Sequence, residues 1–166
     1  MIRTADISEC GQFRYMLRRV WTTLLPPLVF VMLNPSTADG EADDHTIRKC
    51  CEFARLLGFG GIVVVNLFAY RATKPAALKA AGYPVGLEND AWIRRAVAEM
   101  VEMGGSTVVC AWGANARRLA RPREVLALLR GLGVKPMALQ LTEDGIPNHP
   151  LMLPYTCTLI EIPEAA

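Results

Sequence analysis

Short blocks that are apolar throughout alternate along this chain with longer stretches whose apolar positions recur every three or four residues. Residues 28–33, Leu-Val-Phe-Val-Met-Leu, are bounded by Pro26-Pro27 and Pro35. They are apolar on both faces, as a central parallel strand must be. Ile62-Val63-Val64-Val65, residues 107–112 and residues 136–141 repeat that signal. Between the blocks, Ile47, Cys50, Cys51, Ala54 and Leu57 follow the i, i+3, i+4, i+7 spacing of a helix face, opened by Asp43-Asp44 and closed by Gly58. Ile93, Val97, Met100 and Val101 mark a second helix ending at Gly104-Gly105. Pro122 begins another, with Val125, Leu128 and Leu129 on its buried side. Strands alternating with helices predict a three-layer α/β/α domain around a central, mainly parallel four-stranded sheet. Residues 1–25 mix arginines with Phe13, Tyr15 and Trp21 and predict an irregular lead-in with a short strand or hairpin. Residues 73–86 read as loop, and residues 158–162 as a last edge strand.

Composition narrows the picture. A chain of 166 residues with 52% apolar content supports one packed core and a single domain. A net charge of +2 argues against a strongly basic nucleic-acid scaffold while permitting a local positive patch. No apolar run approaches the ~20 residues of a transmembrane helix, and no leader pattern is present, so a cytoplasmic protein that does not enter the membrane is expected. The five cysteines are odd in number and form no C-x-x-C pair, which favours buried free thiols over disulfides or a zinc knuckle. With only His45 and His149 to supply imidazole, a two-histidine metal site is open but unsupported, so no metal is assigned and no cofactor is expected.

Candidate chemistry gathers where the strands end. Asn34 follows the first block, Asn66 the second, Trp112 with Asn115 the third, and His149 comes one loop after the fourth. In a parallel sheet those ends share one edge, where open α/β folds bind their ligands, so a single cleft is expected. It would contain amides, an imidazole, the hydroxyls of Ser36, Thr37, Tyr70 and Thr73, aromatic faces and Arg71, with Asp39, Asp43 and Asp44 nearby. Neither G-x-x-x-x-G-K-[ST] nor G-x-G-x-x-G occurs, which argues against a standard nucleotide hydrolase or a nicotinamide enzyme. An asparagine presents a donor and an acceptor at fixed geometry, as reading a nucleobase edge requires, and adjacent aromatic rings can stack on the base. Arginines 117, 118, 121 and 123 read most simply as a solvated helix face, with a phosphate-contacting patch as the sharper alternative.

The strings Ile7-Ser8-Glu9-Cys10-Gly11, Met32-Leu33-Asn34-Pro35-Ser36-Thr37-Ala38-Asp39, Asp44-His45-Thr46-Ile47-Arg48, Asn66-Leu67-Phe68-Ala69-Tyr70-Arg71-Ala72-Thr73, Pro84-Val85-Gly86-Leu87-Glu88-Asn89-Asp90 and His149-Pro150-Leu151 resemble, in order, a bacterial and phage family known only as a domain of unknown function. More distantly, the order of strand-end motifs is similar to the uracil-DNA glycosylase superfamily. That resemblance implies a glycosylase-like fold and hydrolysis of the N-glycosidic bond of a pyrimidine or modified base, in DNA repair or phage defence. It implies that Asn34 positions water, that Pro35 and Ser36 beside it and Asn115 contact the substrate, and that Asn66 pairs with the base edge. Phe68 or Tyr70 would stack, His149 would stabilise the departing base, Leu151 or Met152 would wedge into the duplex, and Trp112-Gly113 would be scaffold. Because an amide does not accept a proton usefully near neutral pH, Asp39 or Asp44 would serve as base if its loop folds back. Arg71, Lys74, Arg117 and Arg118 are then candidate phosphate contacts, and DNA or a nucleotide the expected partner. Two rivals stand beside this reading: a non-catalytic nucleic-acid or nucleotide sensor, and an enzyme acting on free nucleosides or nucleotides.

Overall fold

The computed structural model describes residues 1–164. Its elements are, in chain order, strands β1 (Ile2–Ile7), β2 (Arg14–Val20) and β3 (Pro27–Met32), helix α1 (His45–Leu56), strand β4 (Gly61–Asn66), helices α2 (Pro75–Ala80) and α3 (Asn89–Glu102), strand β5 (Val108–Cys110), helix α4 (Arg121–Gly131), and strands β6 (Pro136–Ala138) and β7 (Ile160–Glu161). The strands form one seven-stranded sheet in the order β1-β2-β4-β3-β5-β6-β7. The sheet is therefore larger than the four strands expected, and it is mixed. β3 pairs parallel with β4 and β5, and β5 with β6, whereas β1–β2, β2–β4 and β6–β7 are antiparallel.

Alternation along the strands divides the core in two. Val29, Val31, Val63 and Val65 face α3 and α4 through Ile93, Val97, Met100, Val125 and Leu129. Leu28, Phe30, Ile62 and Val64 face α1 through Ile47, Cys50, Phe53 and Ala54. With successive side chains pointing to opposite faces and both faces covered, these strands bury every position, which is why they read as unbroken apolar runs. α1 begins on Asp44, whose carboxylate accepts from the Ile47 amide (2.8 Å). It ends at Leu57, after which Gly58 takes φ 85° and the chain reverses into β4.

Several sequence expectations need correction. The lead-in takes the hairpin form, one of those expected, but is longer than a short strand: β1 and β2 pair antiparallel, with Ile2 opposite Val20 and Thr4 opposite Arg18, and the register shifts between Asp6 and Ile7. Its strand pattern is obscured because β2 buries Arg14 and Arg19 among apolar residues. The loop expected over 73–86 holds α2, a short helix with proline in its first turn. The third and fourth blocks supply only three ladder residues each. Of the cysteines, Cys50, Cys51 and Cys110 are buried free thiols, while Cys10 is exposed. No helix among the described residues is long and apolar enough to cross a membrane.

Candidate functional site

The parallel pairing of β3 with β4 sets Met32 opposite Asn66 at the common strand edge. There a cavity of about 490 Å³ opens between the strand ends and the start of α1. Met32, Val64 and Ile47 give it an apolar floor, and Trp112 contributes a buried wall. Its polar lining comes from Arg14, Asn34, Asp44, Asn66, Asn115 and His149, with the hydroxyls of Ser36, Thr37, Thr46 and Thr73. An apolar pocket of this size with a few converging polar groups is the usual form of a small-molecule site.

Asn66 is the most unusual of these residues. Its side chain is 1% exposed, yet neither its amide nitrogen nor its oxygen has a hydrogen-bond partner. Its backbone, by contrast, is firmly held. Asn89, itself fully buried, donates from Nδ2 to the carbonyls of Asn66 (2.9 Å) and Leu67 (3.1 Å). Arg121 donates from Nε to the Leu67 carbonyl (2.8 Å) and pairs with Asp90. Arg121 is thus not part of a solvated helix face but a buried brace for the end of β4. The brace fixes where the Asn66 amide points while no protein group satisfies the amide, an arrangement that costs folding free energy unless a ligand or water completes it.

Asn34 has the opposite environment. Its Nδ2 donates to the carbonyls of Ala72 (2.9 Å), Pro35 (3.0 Å) and Tyr70 (3.3 Å). Three acceptors around one end of the amide fix its orientation, and Oδ1 is the group it has left to offer the cavity. The Pro35 carbonyl also takes the Ala72 amide (3.0 Å), so Asn34 and Pro35 together stitch the loop after β3 to the loop after β4. Pro35 itself is buried outside the cavity lining.

His149 precedes a single-turn 3-10 helix at Pro150–Met152, and its Nδ1 accepts from the Leu151 amide (3.2 Å). The neutral ring therefore carries its proton on Nε2, the nitrogen left free to donate. Burial lowers the His149 pKa from its ordinary value, opposed by the negative charge of Asp44, so the neutral form is favoured. Gly113 lies against this residue, with φ 81° and ψ 179°, and a Cβ there would meet the His149 Cβ at 3.1 Å. The Gly113 amide donates to the Pro147 carbonyl (2.9 Å), so the end of β5 sets the height of the histidine loop.

Asp44 enters the cavity as the cap of α1, with one carboxylate oxygen engaged and the other open. Asp39 does not line the cavity. Its carboxylate accepts from the Glu41 and Ala42 amides (both 2.8 Å), which hold its pKa below the usual range and its side chain in a turn. Of the two carboxylates expected as candidate bases, Asp44 lines the cavity and Asp39 does not.

The remaining candidates divide. Ser36 and Asn115 line the cavity, Asn115 from an exposed turn. Leu151, 40% exposed, sits at the rim beside Met152, which is 90% exposed. Tyr70 and Arg71 line a shallower neighbouring pocket of about 390 Å³ that shares Ser36, Thr37 and Thr73 with the main one. Phe68 belongs to the core, packed on Tyr83 with ring centroids 5.4 Å apart. Of the surface arginines, Arg117 is paired with Asp144 (2.7 Å).

Arg14 is a further lining residue that the sequence pattern does not single out. It is 2% exposed, donates from Nη1 to the Ala38 carbonyl (2.7 Å), and lines the cavity with its Nε unpartnered. Burial lowers its pKa to about 10, leaving it a cation at neutral pH. The only hint in the sequence is an arginine between two aromatic residues, Phe13 and Tyr15, at a strand start.

Among the described residues, no group of three or more His, Cys, Asp or Glu side chains is assembled as a metal site. No curated protein and no solved structure matches the chain. Residues 14–151, which span β2 through the histidine loop and so contain the whole cavity, match the family described as "Protein of unknown function (DUF1643)", and the chain belongs to that family.

Proposed function

We propose that the cavity binds a nucleobase and that the protein hydrolyses its N-glycosidic bond, in DNA or in a nucleotide. The observation that carries this reading is the Asn66 amide: buried, backbone-braced, unpaired at both ends, and lining the same cavity as a neutral imidazole and a free carboxylate oxygen. A side-chain amide with both ends free complements a ligand edge that offers a donor beside an acceptor, which is what a nucleobase presents. In the reaction, Asp44 takes a proton from water as the oxygen bonds to the sugar's anomeric carbon. The carbon–nitrogen bond breaks, and its electron pair leaves with the base. His149 Nε2–H donates to the charge that develops there, and a neutral imidazole can do so without first losing a proton. Asn34 acts as a positioning residue, holding together the two loops that line the site. The exposed Leu151 and Met152 at the rim suit a wedge that displaces a base from a duplex.

The test is mass spectrometry of bases released from DNAs and nucleotides carrying uracil and modified pyrimidines. Release that vanishes in His149→Ala and Asp44→Asn supports the hydrolase. Release unchanged in both variants removes this assignment.

A binding protein without catalysis is the second reading, favoured by a specific observation. Two of the three residues expected to be catalytic, Asn34 and Asp39, are committed to holding loops. It predicts saturable binding that depends on Asn66, with no base released from any substrate.

A further inference from the structure

Three arginines are buried among the described residues: Arg19, Arg121 and Arg14. The first two have carboxylate partners, Asp43 at 2.7 Å and Asp90 at 2.5 Å. Arg14 has none within 4.0 Å among the described residues, and its Nε has no partner of any kind. A buried cation without a counter-charge is costly, and proteins retain one where something else completes it. The acid nearest in effect, Asp44, stabilises the Arg14 charge from a distance and spends one oxygen on capping α1. The unpaired arginine is also the one of the three that lines the cavity.

We infer that the ligand supplies the missing charge: the molecule bound here carries an anionic oxygen group, and Arg14 receives it while Asn66 reads the base. The planar guanidinium fork suits a phosphate or carboxylate better than any other partner. Because Arg14 is almost fully buried, the group must enter the cavity, as the terminal phosphate of a nucleoside monophosphate does. A phosphate within a strand would serve only if the strand threads into the site. This inference rests on the functional proposal for the cavity as the ligand's place, but not on hydrolysis.

The experiment is calorimetric titration of the full chain with nucleoside 5′-monophosphates, the matching nucleosides and a short single-stranded oligonucleotide. Arg14→Gln and Arg14→Lys are run beside the wild type. The wild type is expected to bind the monophosphate at least about tenfold more tightly than the nucleoside. Arg14→Gln should bring that ratio close to one, and Arg14→Lys should keep part of it. An Arg14-dependent preference seen for the oligonucleotide alone assigns the anion to a strand phosphate. Equal affinity for charged and neutral probes in the wild type, or no binding of any charged probe, overturns the inference without recourse to a variant. So does a preference that survives Arg14→Gln. Should Arg14→Gln fail to fold, Arg14→Lys decides: a preference undiminished there overturns it too. A charge preference without base release leaves this inference standing and removes the hydrolase reading, and base release without a charge preference does the reverse.

Discussion

The ends of β3 and β4 lie side by side, and each delivers an asparagine to the same cavity, yet the two amides differ in every respect that bears on function. Asn34 gives its donor end to three backbone carbonyls and joins two loops. Asn66 is more deeply buried and makes no side-chain hydrogen bond, although its backbone is clamped by Asn89 and indirectly by Arg121. One asparagine stabilises the walls of the site. The other is stabilised by its surroundings in order to stay open. Unsatisfied buried amides are uncommon in folded proteins, so the second pattern supports the binding role proposed for Asn66, and the first a scaffold role for Asn34.

Replacing Asn66 should break the comparison most sharply. Asn66→Leu, close in size and next to the apolar Met32 and Val64, removes a buried amide that nothing satisfies. The melting temperature is expected to stay level or rise, while ligand binding falls on the order of hundredfold because the ligand's polar edge then meets an apolar wall. Calorimetry and thermal unfolding on the same preparation test both halves. A marked loss of stability would mean that the amide has a folding role not evident in its contacts.

Asn34→Ala should do the reverse. Losing the donor that unites Pro35, Tyr70 and Ala72 is expected to cost about 2 kcal/mol. Urea unfolding would report this as a lowered midpoint with an unchanged slope. Any fall in activity should follow the loss of folded protein, and restoring the fold with a cold or osmolyte-containing buffer should recover most of it.

Much of this division was out of reach of the sequence, for identifiable reasons. The central strands were legible because burial on both faces leaves unbroken apolar runs, and α1 because its cap and its apolar spacing agree. The β1–β2 pair was not, since arginines occupy buried positions in β2 and their partners, Asp43 and the backbone carbonyls of Ala38 and Asp39, lie some twenty residues away. The convergence of Asn34, Asn66, Trp112, Asn115 and His149 followed from strand ends sharing an edge. Which asparagine is engaged depends on the Tyr70 and Ala72 carbonyls folding back over Asn34, and on Asn89 taking the Asn66 carbonyl. Those are contacts between loops and have no periodicity. Asp39 and Asp44 are equally open as bases in the sequence, and what separates them is the turn that ties Asp39 to the Glu41 and Ala42 amides while Asp44 caps α1 at the cavity.

Gly113 extends the comparison to the third strand end. Its backbone angles fall in a region that residues with a Cβ scarcely enter, and the added methyl would press on His149. Gly113→Ala is therefore expected to cost on the order of 1–3 kcal/mol. Unlike Asn34→Ala, it should also impair turnover in the fraction that remains folded, because the imidazole is displaced. Activity normalised to folded protein distinguishes the two.

The smallest effect concerns the His149 proton. Burial lowers its pKa in the folded chain relative to the unfolded chain, so between the two values the unfolded state binds more protons. Stability attached to the neutral ring is then fully present above the ordinary histidine pKa of 6.5 and is lost as pH falls below it toward the folded value. The wild type should lose stability over that mildly acidic window, and His149→Gln, which cannot titrate, should lose less. In the hydrolase reading the same proton has a second consequence. A ring protonated on both nitrogens can no longer accept the Leu151 amide through Nδ1, so the turn at 150–152 loosens and Nε2 loses its fixed aim. Activity should therefore fall as the folded ring takes up its proton, at the low-pH end of the window over which the His149-dependent stability is lost. If activity instead falls at a lower pH, the limiting proton belongs to a carboxylate, which would make Asp44 rather than His149 the residue that sets the acid limb.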